Sequence, residues 1–158
     1  DARPPLYYAT AATAAALLGR VPEAIACAER GAQRYPQSAA LLNNLGVFYE
    51  RRGEEETAFE WYGRALEQDP TLPQAMKNRG DLLYRRGAYE EAAEMYARAI
   101  KVRPDLGDDV YAKLGNIFYR RKDRAKAFEM WERALALNPE NDVVRTNLEL
   151  VRGAEGGQ

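Results

Sequence analysis

The stretch FYERRGEEETAF, residues 48–59, decides the fold, because variants of it occur twice more in the chain. It returns as LYRRGAYEEAAEMY from residue 83 and as FYRRKDRAKAFEMW from residue 118. In the first two copies a glycine follows two arginines, which is typical of a helix end because glycine adopts the left-handed conformation at low cost. Carboxylates then follow, as they do in the first turn of a helix. Each copy is therefore predicted to be a turn between two helices.

The spacing of the copies is almost constant. Prolines recur at intervals of 34, 34 and 35 residues, at Pro36, Pro70, Pro104 and Pro139. A regular period of this length indicates stacked supersecondary units. Within each period, apolar or small residues are three or four positions apart, which predicts helices with one buried face.

The residues at particular places in the period resemble the tetratricopeptide repeat. The second repeat has the family's signature residues at Leu42, Leu45, Gly46, Tyr49, Ala58, Tyr62, Ala65 and Pro70. The match departs from the family pattern at Arg79, where leucine is usual, at Lys122, which replaces the turn glycine, and at Ala12, which takes the glycine place of the first repeat. The resemblance implies an all-α fold, a right-handed α-solenoid of antiparallel helix pairs.

We expect one domain over residues 1–152 and a disordered tail over residues 153–158. The chain starts at Asp1 rather than at methionine, which we interpret as a missing upstream segment. The predicted domain consists of four repeats and a terminal capping helix, at residues 5–36, 39–70, 73–104, 108–139 and 140–152.

The composition argues against several classes of function. The chain has no histidine and a single cysteine, Cys27, so the commonest general base and the cysteine zinc clusters are absent. It also lacks a glycine-rich phosphate loop. Its net charge of −1 does not favour a general nucleic-acid binder. We expect a protein that is not an enzyme and that holds no cofactor and no metal.

No apolar run approaches the roughly 18–20 residues of a membrane helix, so we expect no direct insertion into a membrane. A soluble protein is the expectation, and the sequence leaves the compartment open between cytoplasm and periplasm. The content of alanine, arginine and glutamate is typical of a bacterial protein.

The resemblance also implies that the first helix of each repeat lines a concave groove. The position two residues before each signature glycine would point into that groove, and it holds Asn44, Asn78 and Lys113, with Asn147 in the capping helix. An asparagine amide both donates and accepts, so a row of them would hold an extended peptide backbone. The row is similar to that of the superhelix of the O-linked N-acetylglucosamine transferase. The alternative is that these asparagines bridge neighbouring helices.

Further candidates face the same groove or recur as arginines at its end: Asn43, Val47, Arg51, Lys77, Asp81, Tyr84, Arg85, Asn116, Tyr119 and Arg120. The lysines and arginines would form a modestly basic wall, and a neutral or mildly acidic peptide fits it better than nucleic acid. The family's clamp for the acidic C-terminal tails of heat-shock chaperones is not expected, because only Asn78 and Lys113 suit its positions.

The sequence therefore predicts a scaffold or adaptor that binds an extended peptide or partner segment in its groove. Two alternatives remain open. The first is a self-assembly module, in which the alanine-rich first helix or the capping helix forms a homo-oligomer. The second is a regulatory domain of a larger enzyme.

Overall fold

The computed structural model describes residues 3–155, and over that range it is all-α, which confirms the predicted fold class. The described part of the chain forms nine helices: α1 Pro5–Leu17, α2 Val21–Arg34, α3 Ala39–Arg51, α4 Glu55–Gln68, α5 Pro73–Arg85, α6 Tyr89–Val102, α7 Asp108–Arg120, α8 Arg124–Leu137 and α9 Asp142–Glu155.

The first eight helices form four pairs. Each helix packs mainly on its partner in the pair and on the helices of the adjacent pair, and α9 packs on α8. Loops of four residues join successive pairs, except that residues 103–107 form a loop of five between α6 and α7. This longer loop absorbs the extra residue of the last repeat interval. Since each pair contacts its neighbours in sequence, the core is continuous along the stack, as in a solenoid.

The turns inside the pairs need one residue in the left-handed conformation. Gly19, Gly53 and Gly87 have φ values of 75°, 87° and 77°. The last pair has Lys122 in the same place, with φ 63°. The predicted role of Gly53 and Gly87 is confirmed, and the lysine adopts a conformation that is unfavourable for a residue with a Cβ atom.

In each of the last three pairs, a glycine of the first helix faces an aromatic ring of the second helix. A Cβ atom added to Gly46 would lie 2.4 Å from the ring of Tyr62, and one added to Gly115 would lie 2.3 Å from Trp131. Both rings are almost completely buried, at 0% and 2% exposure. The signature glycine therefore makes room for a large ring in the core.

Helix α9 covers the apolar end of the last pair. Val144, Leu148 and Val151 are buried in a cluster that contains Tyr111 and Trp131. The helix continues to Glu155, three residues beyond its expected end, and residues 156–158 of the predicted tail lie outside the described residues.

Candidate functional site

The first helices of the pairs, together with α9, form one surface, which we call the inner face. Neighbouring first helices contact one another directly, as α1 does α3 and as α3 does α5. The residues predicted to bind a partner all lie on α3, α5, α7 or α9. All of the predicted binding residues therefore lie on helices of the inner face.

Two predicted asparagines bind each other. The Nδ2 atom of Asn78 donates to Oδ1 of Asn43 over 3.1 Å, and Asn43 is only 7% exposed. Asn78 was expected to align with Asn44, but its partner is the residue one position earlier. These two residues bridge α3 and α5.

Lys113, the third member of the predicted row, lies in a cluster of four charges that we call the charge cluster: Lys77, Asp81, Asp109 and Lys113. Lys113 Nζ is 2.6 Å from Asp81 Oδ1 and 3.4 Å from Asp109 Oδ2. Lys77 Nζ is 3.1 Å from Asp81 Oδ2 and 2.8 Å from Asp109 Oδ2. Because two cations face two anions, the cluster is neutral, and the lysines do not form the expected basic wall.

The contacts within the charge cluster favour the charged forms of Lys77 and Asp109. Burial acts to lower the pKa of Lys77, but the hydrogen bond to Asp109 and the charge of Asp81 outweigh it, and the pKa is raised. Burial likewise acts to raise the pKa of Asp109, but Lys77 and Lys113 outweigh it, and the pKa is lowered. Burial, with a 2.6 Å hydrogen bond to Asp81, raises the pKa of Tyr96. The ion pairs of the charge cluster link α5 to α7, and the hydrogen bond from Tyr96 links α6 to the cluster.

The recurring arginines at the ends of the first helices have different surroundings. Arg51 donates to the backbone oxygen of Ala16 over 3.4 Å. Arg85 lies between two carboxylates, with Nη2 at 2.7 Å from Glu50 Oε1 and 3.0 Å from Glu55 Oε1. Two of the three predicted arginines thus make contacts with the preceding pair.

Arg120 has no acidic partner among the residues that the structure describes. The positions 34 residues beyond Glu50 and Glu55 hold Tyr84 and Tyr89. The guanidinium carbon of Arg120 lies 4.4 Å from the centre of the Tyr89 ring. An arginine that pairs with two acids in one repeat therefore lies on tyrosine in the next.

Beside Arg120 is a cavity of about 370 Å³ between α5 and α9. We call it the aromatic cavity, and its walls are Tyr84, Tyr89, Asn116, Tyr119, Arg120, Trp131, Asn147, Leu150 and Val151. Five of the predicted residues meet here, namely Tyr84, Asn116, Tyr119, Arg120 and Asn147.

Aromatic contacts fix the walls of the cavity. The rings of Tyr84 and Tyr89 meet edge to face with centres 5.3 Å apart, and those of Tyr119 and Trp131 are 5.6 Å apart. Asn116 Oδ1 accepts a hydrogen bond of 3.1 Å from Trp131 Nε1. Asn116 is therefore engaged within the wall, whereas no hydrogen bond within the described part of the chain involves the side chain of Asn147.

Sequence reasoning missed four wall residues. Trp131 is buried in the core, and its edge also reaches the cavity. Leu150 and Val151 belong to α9, on which only Asn147 is predicted as a contact. The sequence does contain a signal for Tyr89, because this residue lies one repeat beyond Glu55 and holds the equivalent place in the next repeat.

Asn44 and Val47 are half-buried on α3, away from the aromatic cavity. Val47 packs against the core, and the side chain of Asn44 makes no hydrogen bond to any residue within 3–153. The amide of Asn44 is therefore an open polar group on the inner face.

A larger cavity, of about 610 Å³, lies away from the predicted residues, between the second helices α4 and α6. The guanidinium carbon of Arg79, the residue that departs from the family pattern, lies 4.3 Å from the centre of the Phe59 ring there. Side chains of both signs, including Glu60 and Arg98, line the rest. The cavity has no concentration of one charge and no cluster of reactive groups.

Neither a metal site nor a membrane helix is visible in the described residues. No three or more acidic, cysteine or histidine side chains within residues 3–153 gather in a way that would hold a metal ion. The helices between residues 3 and 155 are also too short or too polar to cross a bilayer.

Comparison with known proteins agrees with the geometry. Family models described as tetratricopeptide repeat match residues 37–105 and 108–141. A crystal structure of MamA superposes with a TM-score of 0.78 at 21% identity, covering 92% of this chain and 84% of that one. A second crystal structure of MamA gives a TM-score of 0.80 at 21% identity, covering 96% and 82%. These two likenesses concern the fold.

PilF of Pseudomonas aeruginosa is also similar, with a TM-score of 0.77 and 26% identity over 89% of this chain. This chain spans 64% of that PilF chain. The two family matches together cover most of the sequence and coincide with helices α3–α8. The chain belongs to the tetratricopeptide repeat family and is built as a scaffold for protein–protein interaction.

Proposed function

We propose that the inner face binds an extended segment of a partner protein and that the chain acts as a non-catalytic adaptor. The observation that carries the proposal is the contrast between paired and open polar groups on this face. Asn43, Asn78 and the charge cluster are paired among themselves. Asn44, Arg120 and Asn147 keep hydrogen-bonding groups available to a ligand.

The open groups are not spread evenly. Arg120 and Asn147 both border the aromatic cavity, whereas Asn44 lies on α3. The proposed binding surface is therefore centred on α5, α7 and α9, with Asn44 as a secondary contact. This differs from a regular ladder with one equal contact in each repeat.

The energies support a role for the cavity. A net hydrogen bond contributes about 0.5–1.5 kcal/mol, so the amides of Asn44 and Asn147 together supply a few kcal/mol at most. Micromolar affinity requires about 8 kcal/mol. Large aromatic side chains are the usual source of the remainder, and Tyr84, Tyr89, Tyr119 and Trp131 line the cavity.

A non-catalytic role agrees with the chemistry of the chain. The sequence has no histidine, and Cys27 is a half-buried side chain whose Sγ lies 3.8 Å from the backbone oxygen of Tyr8. An activated nucleophile needs a neighbouring base or a positive environment. Within the described residues, the hydrogen bond of Cys27 goes to a backbone oxygen, which provides neither.

Selection from a library of phage-displayed random peptides tests the proposal. Peptides that bind are synthesised with a photo-activated cross-linking group, and the cross-linked residues are located by mass spectrometry. We expect cross-links on α5, α7 and α9. Cross-links confined to the second helices α4, α6 and α8, or a selection that enriches no sequence, would contradict groove binding.

The variant Asn44→Ala/Asn147→Ala provides a second test. Each substitution removes an open amide and leaves the core unchanged, so binding of a selected peptide should weaken while the unfolding curve stays the same. Asn138→Ala is a matched control, since Asn138 lies in the loop before α9 and donates to Asp108. Equal effects of the inner-face variant and the control would count against the proposal.

Self-association through α1 is a second candidate function, and exposed apolar side chains favour it. Leu6, Leu17 and Leu18 are 73%, 76% and 71% exposed. Exposed apolar groups gathered on one surface are typical of contact sites. Sedimentation over a wide concentration range would show a dimer in the wild type and a monomer in Leu17→Glu/Leu18→Glu. A wild type that is monomeric throughout would exclude this candidate.

A further inference from the structure

An arginine at the end of the first helix occurs in successive repeats, as Arg85 in α5 and Arg120 in α7, and its surroundings differ between them. Arg85 lies against two carboxylates of the preceding pair, those of Glu50 and Glu55, at 2.7 and 3.0 Å. Arg120 occupies the equivalent place at the end of α7. The two carboxylates that would accept from it are replaced by Tyr84 and Tyr89.

A tyrosine ring does not replace a carboxylate for this arginine. The guanidinium group of Arg120 stacks on the face of Tyr89, with its carbon 4.4 Å from the ring centre. Stacking uses the flat side of the guanidinium and leaves the N–H groups at its edge available, so the same group still binds a carboxylate in its plane. Tyr89 therefore orients Arg120 without neutralising it.

The surroundings of Arg120 keep its charge uncompensated. None of the residues that line the aromatic cavity is acidic. The lysines of the inner face are already matched by Asp81 and Asp109 within the charge cluster. Arg120 is thus a cation with no anionic partner in the described part of the chain, at the rim of an apolar cavity.

The cavity also presents apolar surface that no described side chain covers. Tyr119 is 43% exposed and Leu150 is 68% exposed. A volume of about 370 Å³ is within the range of small ligand pockets and accommodates one large apolar side chain. The arrangement combines one cation with an apolar pocket a short distance away.

We propose that this site reads an acidic residue next to a large apolar residue within the bound segment. The carboxylate of the aspartate or glutamate pairs with Arg120, and the apolar side chain enters the aromatic cavity against Tyr119 and Leu150. The inference rests on the proposed function, because it names the chemistry of the segment that the inner face binds. It commits to a carboxylate on a side chain within the segment.

The test is a parallel selection of phage-displayed random peptides on three proteins: wild type, Arg120→Ala and Arg121→Ala. Displayed peptides are joined to the coat protein and offer no free C-terminal carboxylate, so an acidic signal must come from side chains. We expect the wild type and Arg121→Ala to enrich an acidic residue adjacent to a large apolar one. Arg120→Ala should lose the acidic preference and keep the apolar one.

The variant Arg121→Ala is a matched control because it removes the same charge one position away from Arg120. The guanidinium of Arg121 pairs with Glu90 on α6, and Arg121 is not among the residues of the aromatic cavity. Circular dichroism of all three proteins shows whether each one is folded, and Arg120→Lys retains the charge without the fork of donors. Lysine should restore part of the acidic preference, since charge alone attracts a carboxylate.

A double-mutant cycle measures the pairing directly. One selected peptide is compared with its acidic→amide variant, glutamate to glutamine, on wild type and on Arg120→Ala. Trp131 reports binding at the cavity, and Trp61→Phe removes the other tryptophan of the chain. We expect the amide peptide to bind the wild type about tenfold more weakly and to bind Arg120→Ala with the same affinity as the acidic peptide.

The outcomes separate this inference from the proposed function. If no peptide is enriched, or if cross-links fall on the second helices, groove binding itself is contradicted. If peptides cross-link to the inner face but show no acidic preference, or one that Arg120→Ala retains, groove binding stands and the role of Arg120 is overturned. A peptide that binds only with a free C-terminus would also overturn the commitment to a side-chain carboxylate.

Discussion

The first helix pair and the pair that follows it achieve the same close contact with different residues. In α3–α4, Gly46 lies against the buried ring of Tyr62. In α1–α2, the corresponding places hold Ala12 and Ala28, both at 0% exposure. The close approach of a glycine to a tyrosine lies elsewhere in the first pair, where a Cβ atom added to Gly31 of α2 would lie 2.6 Å from the Cβ atom of Tyr8 on α1.

The difference has a consequence for cohesion. Tyr62 fills the core with a ring, and its hydroxyl donates to Glu50 Oε2 over 2.7 Å. Ala28 does neither, so α1–α2 depends more on the helix propensity of its alanines, which is high. In the pairs after the first, a large buried ring joins the two helices at this place, and α1–α2 has an alanine there.

The substitution Gly46→Ala should lower the free energy of unfolding most strongly. The new methyl group would meet the Tyr62 ring at 2.4 Å, and overpacking of this kind costs about 1–3 kcal/mol, with the upper end expected for a fully buried ring. The free energy of unfolding, measured by urea denaturation, should fall by that amount. The matched change Ala12→Gly should cost only about 1 kcal/mol, because it adds flexibility without a clash. Equal losses would show that the two pairs pack alike.

Tyr62→Phe tests the hydroxyl alone. The ring stays in the core and Glu50 keeps its ion pair with Arg85, so the loss should be close to that of one hydrogen bond to a charged group, about 1.5 kcal/mol. Tyr35→Phe is the control, since the Tyr35 hydroxyl donates to a backbone oxygen at an exposed site of the first pair. It should change the unfolding free energy by much less, and a loss as large as that of Tyr62→Phe would contradict the argument.

Lys122→Gly should give the last pair the glycine turn that the first three pairs already have. Lys122 has φ 63°, and a left-handed residue with a Cβ atom costs about 1 kcal/mol. The variant should therefore be more stable by about 1 kcal/mol or slightly less, measured by thermal and urea unfolding. Gly53→Ala places a Cβ atom at φ 87° and should change stability in the opposite direction. A destabilised Lys122→Gly would indicate that the lysine has a contact that offsets its conformation.

Acid should loosen the later repeats more than the first pair. The pKa of Asp109 is lowered in the folded chain, so its contribution to stability is present above its unfolded pKa of about 4 and is lost as the pH falls through the folded value. Because Asp109 is 44% exposed, the effect should stay below about 1 kcal/mol. Hydrogen exchange between pH 5 and pH 3 should show loss of protection in α5 and α7 relative to α1.

Asp109→Asn is the control for that measurement. Its α5 and α7 amides should show a weaker dependence on pH, since asparagine does not titrate. An unchanged dependence would mean that other carboxylates are responsible.

Most of the fold was predictable because the repeat states each local preference several times. The glycine and ring positions, the left-handed turns and the longer loop before α7 all follow from residues at a fixed period. The surface was less predictable. Asn43 and Asn44 are adjacent on one helix and chemically identical, yet Asn43 is buried against Asn78 and Asn44 is open.

That the chain is a stack of helix pairs follows from its residues alone, because helix propensity, turn chemistry and apolar spacing are local properties. Which polar side chains remain free depends on how the helices pack. Lys113 is neutralised by Asp81 on a different helix, whereas Arg120 meets tyrosines where Arg85 meets carboxylates. Such pairings depend on side chains 35 residues apart being brought to 3.1 Å and 2.7 Å, as for Asn78 with Asn43 and Arg85 with Glu50, and the rotation between successive repeats sets which of them meet.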